Sequence, residues 1–281
     1  MARFGSGWWL DGRFSPALTA PGIGGGAPSL TAQVAALFAA KSALGYMIDG
    51  KNSSNITQNS DGSGSVSAIT DPIGRFTDLS GNGNHFVASG TARPYWDGLG
   101  AVFDGVDDGM ATAAPINMAG VNRFYLLVVE KKSALPVDSV GTLGLSTSYT
   151  ANNGSFIFMG NGGTLENFQL ALRTTSNSSA HRTPCTGDAV HSILYKVNLA
   201  TATNLSDQVS SWLDGVAQSA KAGTMAANGT LGNYVGYLGT IGGTVKFANQ
   251  FRRALLFGST SFLTTDEENL LLAWGQEGFF P

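Results

Sequence analysis

The chain has 281 residues, of which only 12% are charged and 38 are glycine, and its formal net charge is −3. So few charges and so many turn formers exclude a helical bundle, and basic clusters no longer than Lys131-Lys132 and Arg252-Arg253 offer no footprint for a row of phosphates, so nucleic acid is not an expected partner. No apolar run approaches the roughly 20 residues of a bilayer span, the N-terminus lacks the basic-then-apolar layout of a secretory signal, and a lone Cys185 excludes an intrachain disulfide and a cysteine-built zinc site.

Residues 1–28 mix aromatics with a Gly/Pro-rich stretch and show neither helical nor strand periodicity. Four large aromatics there, Phe4, Trp8, Trp9 and Phe14, are costly to leave in water, so this segment reads as an arm that packs on its own domain or docks on a neighbouring subunit. Residues 29–281 read as one domain. Ser29 is positioned to cap a helix whose apolar stripe runs through Leu30, Val34, Leu37, Phe38, Lys41 and Leu44 and which ends near Gly45.

Beyond it the 3.6-residue period gives way to short apolar runs divided by Gly, Asn, Asp and Ser, predicting strands at 99–104, 123–131, 155–160, 167–174, 189–198, 209–213, 234–239 and 251–258. In RFYLLVVEKK both alternating faces are apolar, as a strand covered on both sides requires, whereas FQLALRT puts Phe168, Leu170 and Leu172 on one face only. Asp214-Gly215 is a strong hairpin signal, since a two-residue turn needs positive φ. The closing TTDEENLLLAWGQEG predicts a helix with Thr265 and Glu268 as a capping box, Leu270, Leu271 and Trp274 turned inward, and Gly275 just past its end. The fold class expected is all-β: a two-sheet antiparallel sandwich with a short helix at each end of the domain.

From Ala36 to Met110 a series of motifs carries a resemblance. Gly45-Tyr46-Met47-Ile48-Asp49 is followed by Asp71-Pro72-Ile73-Gly74-Arg75-Phe76, then Asp78-Leu79-Ser80-Gly81-Asn82-Gly83-Asn84-His85, then Arg93-Pro94, then Val102-Phe103-Asp104-Gly105-Val106-Asp107-Asp108. In order and spacing this resembles the LamG-type, concanavalin A-like domains of bacteriophage tail and other virion proteins. The resemblance implies a jelly-roll sandwich on a virion surface, part of a symmetric assembly, joined to other virion proteins through the arm and able to bind host surface polysaccharide. Locally, SGNGN supplies positive-φ residues and side-chain hydrogen bonds for a tight turn, which gives Asp78, Asn82, Asn84 and His85 a structural role. Two stretches depart from the family: KFANQFRRALLFGS stands where a glycine-containing strand is usual, and the first 28 residues match nothing in the fold.

Little in the chain points to catalysis. Glycosidases on this fold set paired carboxylates about 5 Å apart from one strand, and no such spacing exists; the glutamates are Glu130, Glu166, Glu267, Glu268 and Glu277, with Glu130 opening a lysine pair. His85, His181 and His191 have no G-x-S-x-G partner; His191 reads as a hydrogen-bonded strand histidine and Cys185 as a small strand-end hydrophobe. Tyr95, Trp96, Tyr149, Asn152, Asn153 and Trp212 are candidate glycan contacts by residue type. Relatives of the fold bind calcium through loop carboxylates, and alternation places Asp104 and Asp108 on one face and Asp107 on the other, so Asp104 and Asp108 are the candidate ligands. No other cofactor is expected. The resulting expectation is a non-enzymatic virion structural protein with a lectin-like sandwich, set against a free or cell-surface lectin and, last, a polysaccharide-degrading enzyme.

Overall fold

The computed structural model describes residues 27–132, 141–146, 154–161, 167–173, 178–185, 187–200, 208–219, 229–241 and 245–279. Phe4, Trp8, Trp9, Phe14, Tyr149, Asn152 and Asn153 lie outside them. After helix α1 (Leu30–Lys41) come β1 (Leu44–Asp49), β2 (Ile56–Thr57), β3 (Arg75–Phe76), β4 (Phe86–Val87), β5 (Tyr95–Trp96), β6 (Ala101–Asp104), β7 (Met110–Thr112) and β8 (Arg123–Lys131). They continue with β9 (Gly141–Leu145), β10 (Ser155–Asn161), β11 (Asn167–Arg173), β12 (Ser178–Pro184), β13 (Val190–Asn198), β14 (Val209–Leu213) and β15 (Val216–Ala217). Then follow β16 (Gly236–Leu238), β17 (Thr240–Ile241), β18 (Val245–Lys246), β19 (Ala248–Ser259) and helix α2 (Thr265–Gln276).

The strands form two antiparallel sheets, a β-sandwich as the sequence predicts. Sheet A runs β15-β14-β13-β8-β19-β6-β5, and sheet B runs β12-β11-β10-β9-β16-β7-β4-β3-β2. The KFANQFRRALLFGS segment is the spine of sheet A. One edge of β19 bonds to β8; along the other, Ala248–Phe251 pair with β6 and Arg253–Gly258 pair with β1. A bulge at Arg252 separates the two stretches, and its carbonyl accepts from the Gly50 amide at 2.9 Å.

Alternation in β8 decides the layering. Phe124, Leu126 and Val128 join the inter-sheet core, while Tyr125, Leu127 and Val129 face a second cluster made by Val34 and Phe38 of α1 with Leu271 and Trp274 of α2. Both faces of this strand are therefore covered, one by sheet B and one by the helices. Phe168, Leu170 and Leu172 point into the inter-sheet core from β11, also as expected.

Ser29 does cap α1, its side chain accepting from the Ala32 amide at 3.2 Å. The helix stops earlier than its apolar stripe suggests because Ser42 turns left-handed (φ 49) and Leu44 already belongs to β1. In α2 the capping box is one residue earlier than predicted: Thr264, not Thr265, accepts from the Glu267 amide, and the Glu267 carboxylate, not that of Glu268, accepts from the Thr264 amide. Glu268 instead faces sheet A and meets Tyr125 and Lys196, each at 2.6 Å. Gly275 lies inside the helix rather than after it. A Cβ there would stand 2.5 Å from Ser192 Oγ and 2.9 Å from Leu127, so this glycine serves close helix–sheet packing. Leu270 is half-buried; Leu271 and Trp274 are sealed.

Asp214-Gly215 makes the two-residue hairpin, with φ 51 and 79 and the pair Leu213↔Val216 closing it. β2 to β5, β7, β15, β17 and β18 are two or three residues long, too short for alternation to show. β12 was hidden by its polarity, SSAHRTP, which suits the edge of sheet B.

The loop between β3 and β4 is tied to β1 by one buried carboxylate. Asp78 Oδ1 accepts from the amides of Met47 and Ser80, each at 2.9 Å, and Oδ2 from the Ser80 hydroxyl and the Asn84 amide, each at 2.8 Å. Asn82 and Asn84 both donate to the Gly45 carbonyl, at 3.2 and 2.7 Å. Gly45 has φ +116, and a Cβ there would stand 1.9 Å from the Leu256 carbonyl oxygen, so no other residue fits. Replacing Asp78 with Ala strands four donors in a protein interior and is expected to cost about 3 kcal/mol in urea unfolding. Asp188→Ala, which removes only an exposed ion pair to Lys131 at 2.9 Å, is expected to cost at most about 1 kcal/mol.

Candidate functional site

The helices cover the outer face of sheet A at β1, β8, β13 and β19, whereas a cleft lies on the outer face of sheet B. Its register aligns Ala171, Ile157, Gly144, Tyr237, Ala111, Val87 and Arg75 in one row across seven strands. The β17–β18 pair covers one half of that row: Ile241 is buried against Ile157, Met159 and Ala171, and its Cδ1 lies 3.0 Å from where a Cβ on Gly144 would be. In the other half a cleft of about 200 Å³ opens beside β3, β4 and β7.

Arg75 and Val87 form part of the cleft, Gly83, Asn84 and His85 one side, Thr112 to Ala114 another, and Ser60 completes it. The wall holding His85 is the loop fixed by Asp78. His85 Nδ1 accepts from the Asp78 amide at 3.0 Å, which makes the ring neutral with its proton on Nε2. Burial, reinforced by the Arg75 charge and opposed by Asp78, holds the His85 pKa below its ordinary value, so the ring stays neutral at neutral pH. Thr112 is fixed on its wall, donating to the Ala114 carbonyl at 2.8 Å and accepting from the Gly236 amide at 3.0 Å. Arg75 donates no hydrogen bond and makes no ion pair among the described residues, and its Nε is buried without a partner. The Asn59–Ser63 turn closes over it, with Nη1 3.1 Å from the position of a Cβ on Gly62. The cleft thus presents N–H donors and one uncompensated positive charge.

Of the aromatic candidates among the described residues, none lines this cleft. Tyr95 is 40% exposed on edge strand β5, whereas Trp96 is half-buried against the core and donates its indole N–H to the Gly50 carbonyl at 3.1 Å. Trp212 packs against the helix-side cluster. Asn84 and His85 have the structural role read from the sequence and also line the cleft; Arg75 sat inside a quoted motif but was given no role. Its one signal is a lone cation in a short strand between Gly74 and buried Phe76.

The aspartates correct a second expectation. Asp104, Asp107 and Asp108 do converge, each offering a carboxylate oxygen within 4.8 Å of the others, because the chain bends at Gly105 (φ +76) instead of continuing its alternation. One oxygen each of Asp104 and Asp108 is engaged in that bend. Asp108 Oδ2 accepts from the Asp104 amide at 2.8 Å, and Asp104 Oδ1 from the Val106 amide at 2.7 Å. Burial pushes the Asp108 carboxyl up to about 6. Burial opposes ionisation of Asp104 too, but the amides of Val106, Asp108 and Asp107 outweigh it and hold that carboxyl below its usual range. The donor set suits a hard cation such as calcium in type, but ordering of the turn accounts for the contacts seen.

Ionisable groups also lie between the sheets, Glu130 and His191 among them. Glu130 does not head an exposed lysine pair; it is fully buried, its carboxyl pushed well above the usual range by burial, with Oε1 accepting from Thr142 at 3.1 Å, and Lys132 is buried as well. Gly160 makes room for it, since a Cβ there would stand 2.2 Å from Oε1. His191 Nδ1 meets Asp214 Oδ2 at 2.7 Å, and Asp214 is itself held by the Ser192 amide at 2.9 Å. That carboxylate, and then the Cys185 thiol, raise the His191 pKa to about 9. Thiol, imidazole and carboxylate follow one another as in a nucleophilic site, but Cys185 is only 2% exposed, which leaves no space for a substrate at sulfur.

No family model matches the chain, and no curated protein matches it. Among solved structures it is similar to a GH54 α-L-arabinofuranosidase soaked with a cyclic sulfate inhibitor, with TM-score 0.57, 11% identity, and coverage of 86% of this chain and 64% of that one. An arabinofuranosidase complexed with arabinofuranosyl-α-1,2-xylobiose gives TM-score 0.52, 11% identity and the same 86% and 64% coverage. Domain 4 of a GH43 extracellular arabinanase from Geobacillus stearothermophilus, in complex with arabinotriose, gives TM-score 0.46 and 12% identity over 81% of this chain and 98% of that one. The chain therefore spans under two thirds of the arabinofuranosidase chains, and at such identities the likeness is one of fold.

The His191–Asp214 pair generates a pH prediction. A folded-state pKa of about 9 lies above the ordinary 6.5, so the pair's contribution to stability is complete below about 6.5 and is lost as pH rises through 9. An NMR titration of His191 is expected to show a midpoint near 9, and Asp214→Asn to bring it down toward 6.5.

Proposed function

We propose that this chain is a non-enzymatic glycan-binding sandwich carried on the surface of a bacteriophage or similar particle. The observation that supports binding is the cleft on the open half of sheet B: a concave, preformed site whose walls are pinned by backbone hydrogen bonds and whose polar groups converge, as small-molecule sites require. Similar folds in the arabinofuranosidases, one of them holding an arabinofuranosyl-xylobiose, make a saccharide the natural ligand class to test.

Support for a non-enzymatic role comes from the acids. Among the described residues no carboxylate lines the cleft, Glu130 is sealed between the sheets, and Asp104 and Asp108 are occupied in their own turn. Most glycosidases use two carboxyl groups flanking the scissile bond. Placement on a particle rests on the motif series from Ala36 to Met110 and on the aromatic arm of residues 1–28, which would dock on another virion protein.

Screening the full chain against host capsule, lipopolysaccharide and plant-type arabinan is expected to give saturable binding to at least one glycan and no release of reducing ends. Absence of binding across the panel would remove the lectin reading, and released reducing ends would replace it with a hydrolase. In purified particles the chain is expected to appear as a surface density, and a chain truncated before residue 29 is expected to fold yet fail to incorporate. Normal incorporation of the truncated chain would show that the arm is not the anchor.

A further inference from the structure

The arginines differ in how they are satisfied. Arg93 donates to the carbonyls of Gly90 and Gln58, each at 3.0 Å, Arg123 to the Thr260 carbonyl at 3.1 Å, and Arg182 to Gln169 at 2.9 Å. Arg252 is paired with Asp97 at 2.5 Å, and Arg253, completely buried, with Asp49 at 3.2 Å and with the Trp274 carbonyl. Arg75 alone in this comparison donates to nothing, although it is half-buried and its Nε is out of reach of solvent. A guanidinium cannot shed its proton and has no neutral form in which to wait, so taking its Nε–H out of water without an acceptor costs stability, as it does for the Nε–H groups of Arg252 and Arg253.

Among the described residues no carboxylate forms an ion pair with it. Asp78, in the adjoining loop, has both oxygens filled by four donors. Asp61 makes no ion pair with Arg75; its Oδ1 accepts from the Ser63 amide at 2.8 Å, and Arg75 is the smallest of the influences that lower its carboxyl. Beside the unpaired guanidinium stands His85, whose Nδ1 is used and whose Nε2 carries the ring's N–H. A neutral sugar would leave that charge uncompensated, whereas a carboxylate matches the planar N–H fork of arginine and accepts from both groups.

We propose that the cleft is an anion subsite, in which Arg75 holds the carboxylate of an acidic sugar residue and His85 Nε2–H donates to the same group, so that the chain selects acidic over neutral polysaccharide. This rests on the glycan-binding reading and narrows it to a substrate class. At about 200 Å³ the cleft is below the roughly 300 Å³ at which sites for drug-sized molecules begin, so it takes one sugar residue and the rest of the polymer runs out along the face. The Arg75 backbone is held in β3 and the His85 ring is held by the Asp78 amide before the ligand arrives, which lowers the ordering cost of binding.

The test is calorimetric titration of the full chain with three probes of equal length: an oligogalacturonate, a neutral galactan oligomer and a sulfated galactan oligomer. The oligogalacturonate is expected to bind at least about tenfold tighter than the neutral oligomer at low salt, with the ratio falling as salt screens the pair. Arg75→Gln should bring the ratio to near one, and Arg75→Lys, which keeps the charge but not the fork, should retain part of it. Thermal unfolding of both variants separates lost folding from lost recognition. A preference for the sulfated probe that disappears in Arg75→Gln supports the same subsite with sulfate as its anion. Equal binding of charged and neutral probes, or a preference that survives Arg75→Gln, overturns the anion subsite while leaving glycan binding intact; no binding to any glycan, here or in the wider panel, overturns the glycan-binding reading instead.

Discussion

A single buried carboxylate organises the region on which function is proposed to depend. Asp78 collects four donors from three stretches of chain: the Met47 amide in β1, two groups of Ser80, and the Asn84 amide just before β4. Its own amide donates to His85, so the same residue fixes both the course of the loop and the tautomer of the imidazole beside the cleft. Charge-assisted bonds of this kind are short and strong, and their closure forces Gly81 and Gly83 into positive φ, at 87° and 75°. A turn built this tightly has little freedom to reposition His85. The cleft is consequently rigid on one side before any ligand arrives.

The opposite face of the molecule shows why that cleft lies on sheet B. Sheet A is sealed by α1 and α2, which are themselves joined by Lys41 to Glu267 at 2.8 Å and by the Trp274 indole to Thr31 at 3.1 Å. Beneath them Arg253 is enclosed by Asp49 and by the faces of Trp274 and Phe279, at 4.7 and 4.5 Å from the ring centroids. Burial lowers the tendency of Arg253 to hold its proton, and Asp49 and Glu277 counter that loss. Such an ion pair gains little net stability over apolar packing, yet removing one partner leaves a stranded charge. It fixes where α2 sits, and with α2 in place the outer face of sheet A is covered at β1, β8, β13 and β19. The β17–β18 pair then covers half of sheet B, confining access to the part beside β3, β4 and β7.

What the sequence disclosed follows from the length of each signal. β8 and β19 are nine and twelve residues long and each contains an unbroken apolar run, FYLLVV and ALLF, so the burial of those runs is visible in composition alone. The Asp214-Gly215 turn is legible because only a few residue types accept its backbone. Strands of two or three residues leave no period to detect, and the capping box was misplaced by one residue because TTDEE satisfies the same pattern at Thr264–Glu267 and at Thr265–Glu268. The second of those positions is excluded only by tertiary contact, since Glu268 is drawn to Tyr125 and Lys196. Likewise Glu130 follows an apolar run and precedes two lysines, which reads as the strand leaving the core. Only the pairing with β9 and β10 across the sandwich shows that strict alternation carries it one step further inward.

The site was less legible than the fold because its chemistry depends on an absence of partners. Residue type alone favoured Tyr95 and Trp96, but an indole spent on the Gly50 carbonyl has no donor left for a ligand. It also favoured Asp104 and Asp108, each of which has one oxygen bonded within the turn they create. Arg75 was passed over because an arginine in a strand next to solvent is ordinarily unremarkable. Its meaning comes from comparison with Arg252 and Arg253, neighbours in sequence that each find a carboxylate although both are more deeply buried. A fold that supplies counter-charges to its most buried cations and withholds one from a cation lining an open cleft leaves that place for something outside the chain. Hydrogen-bond demand left over after folding, more than the presence of any residue type, is what marks a surface for recognition.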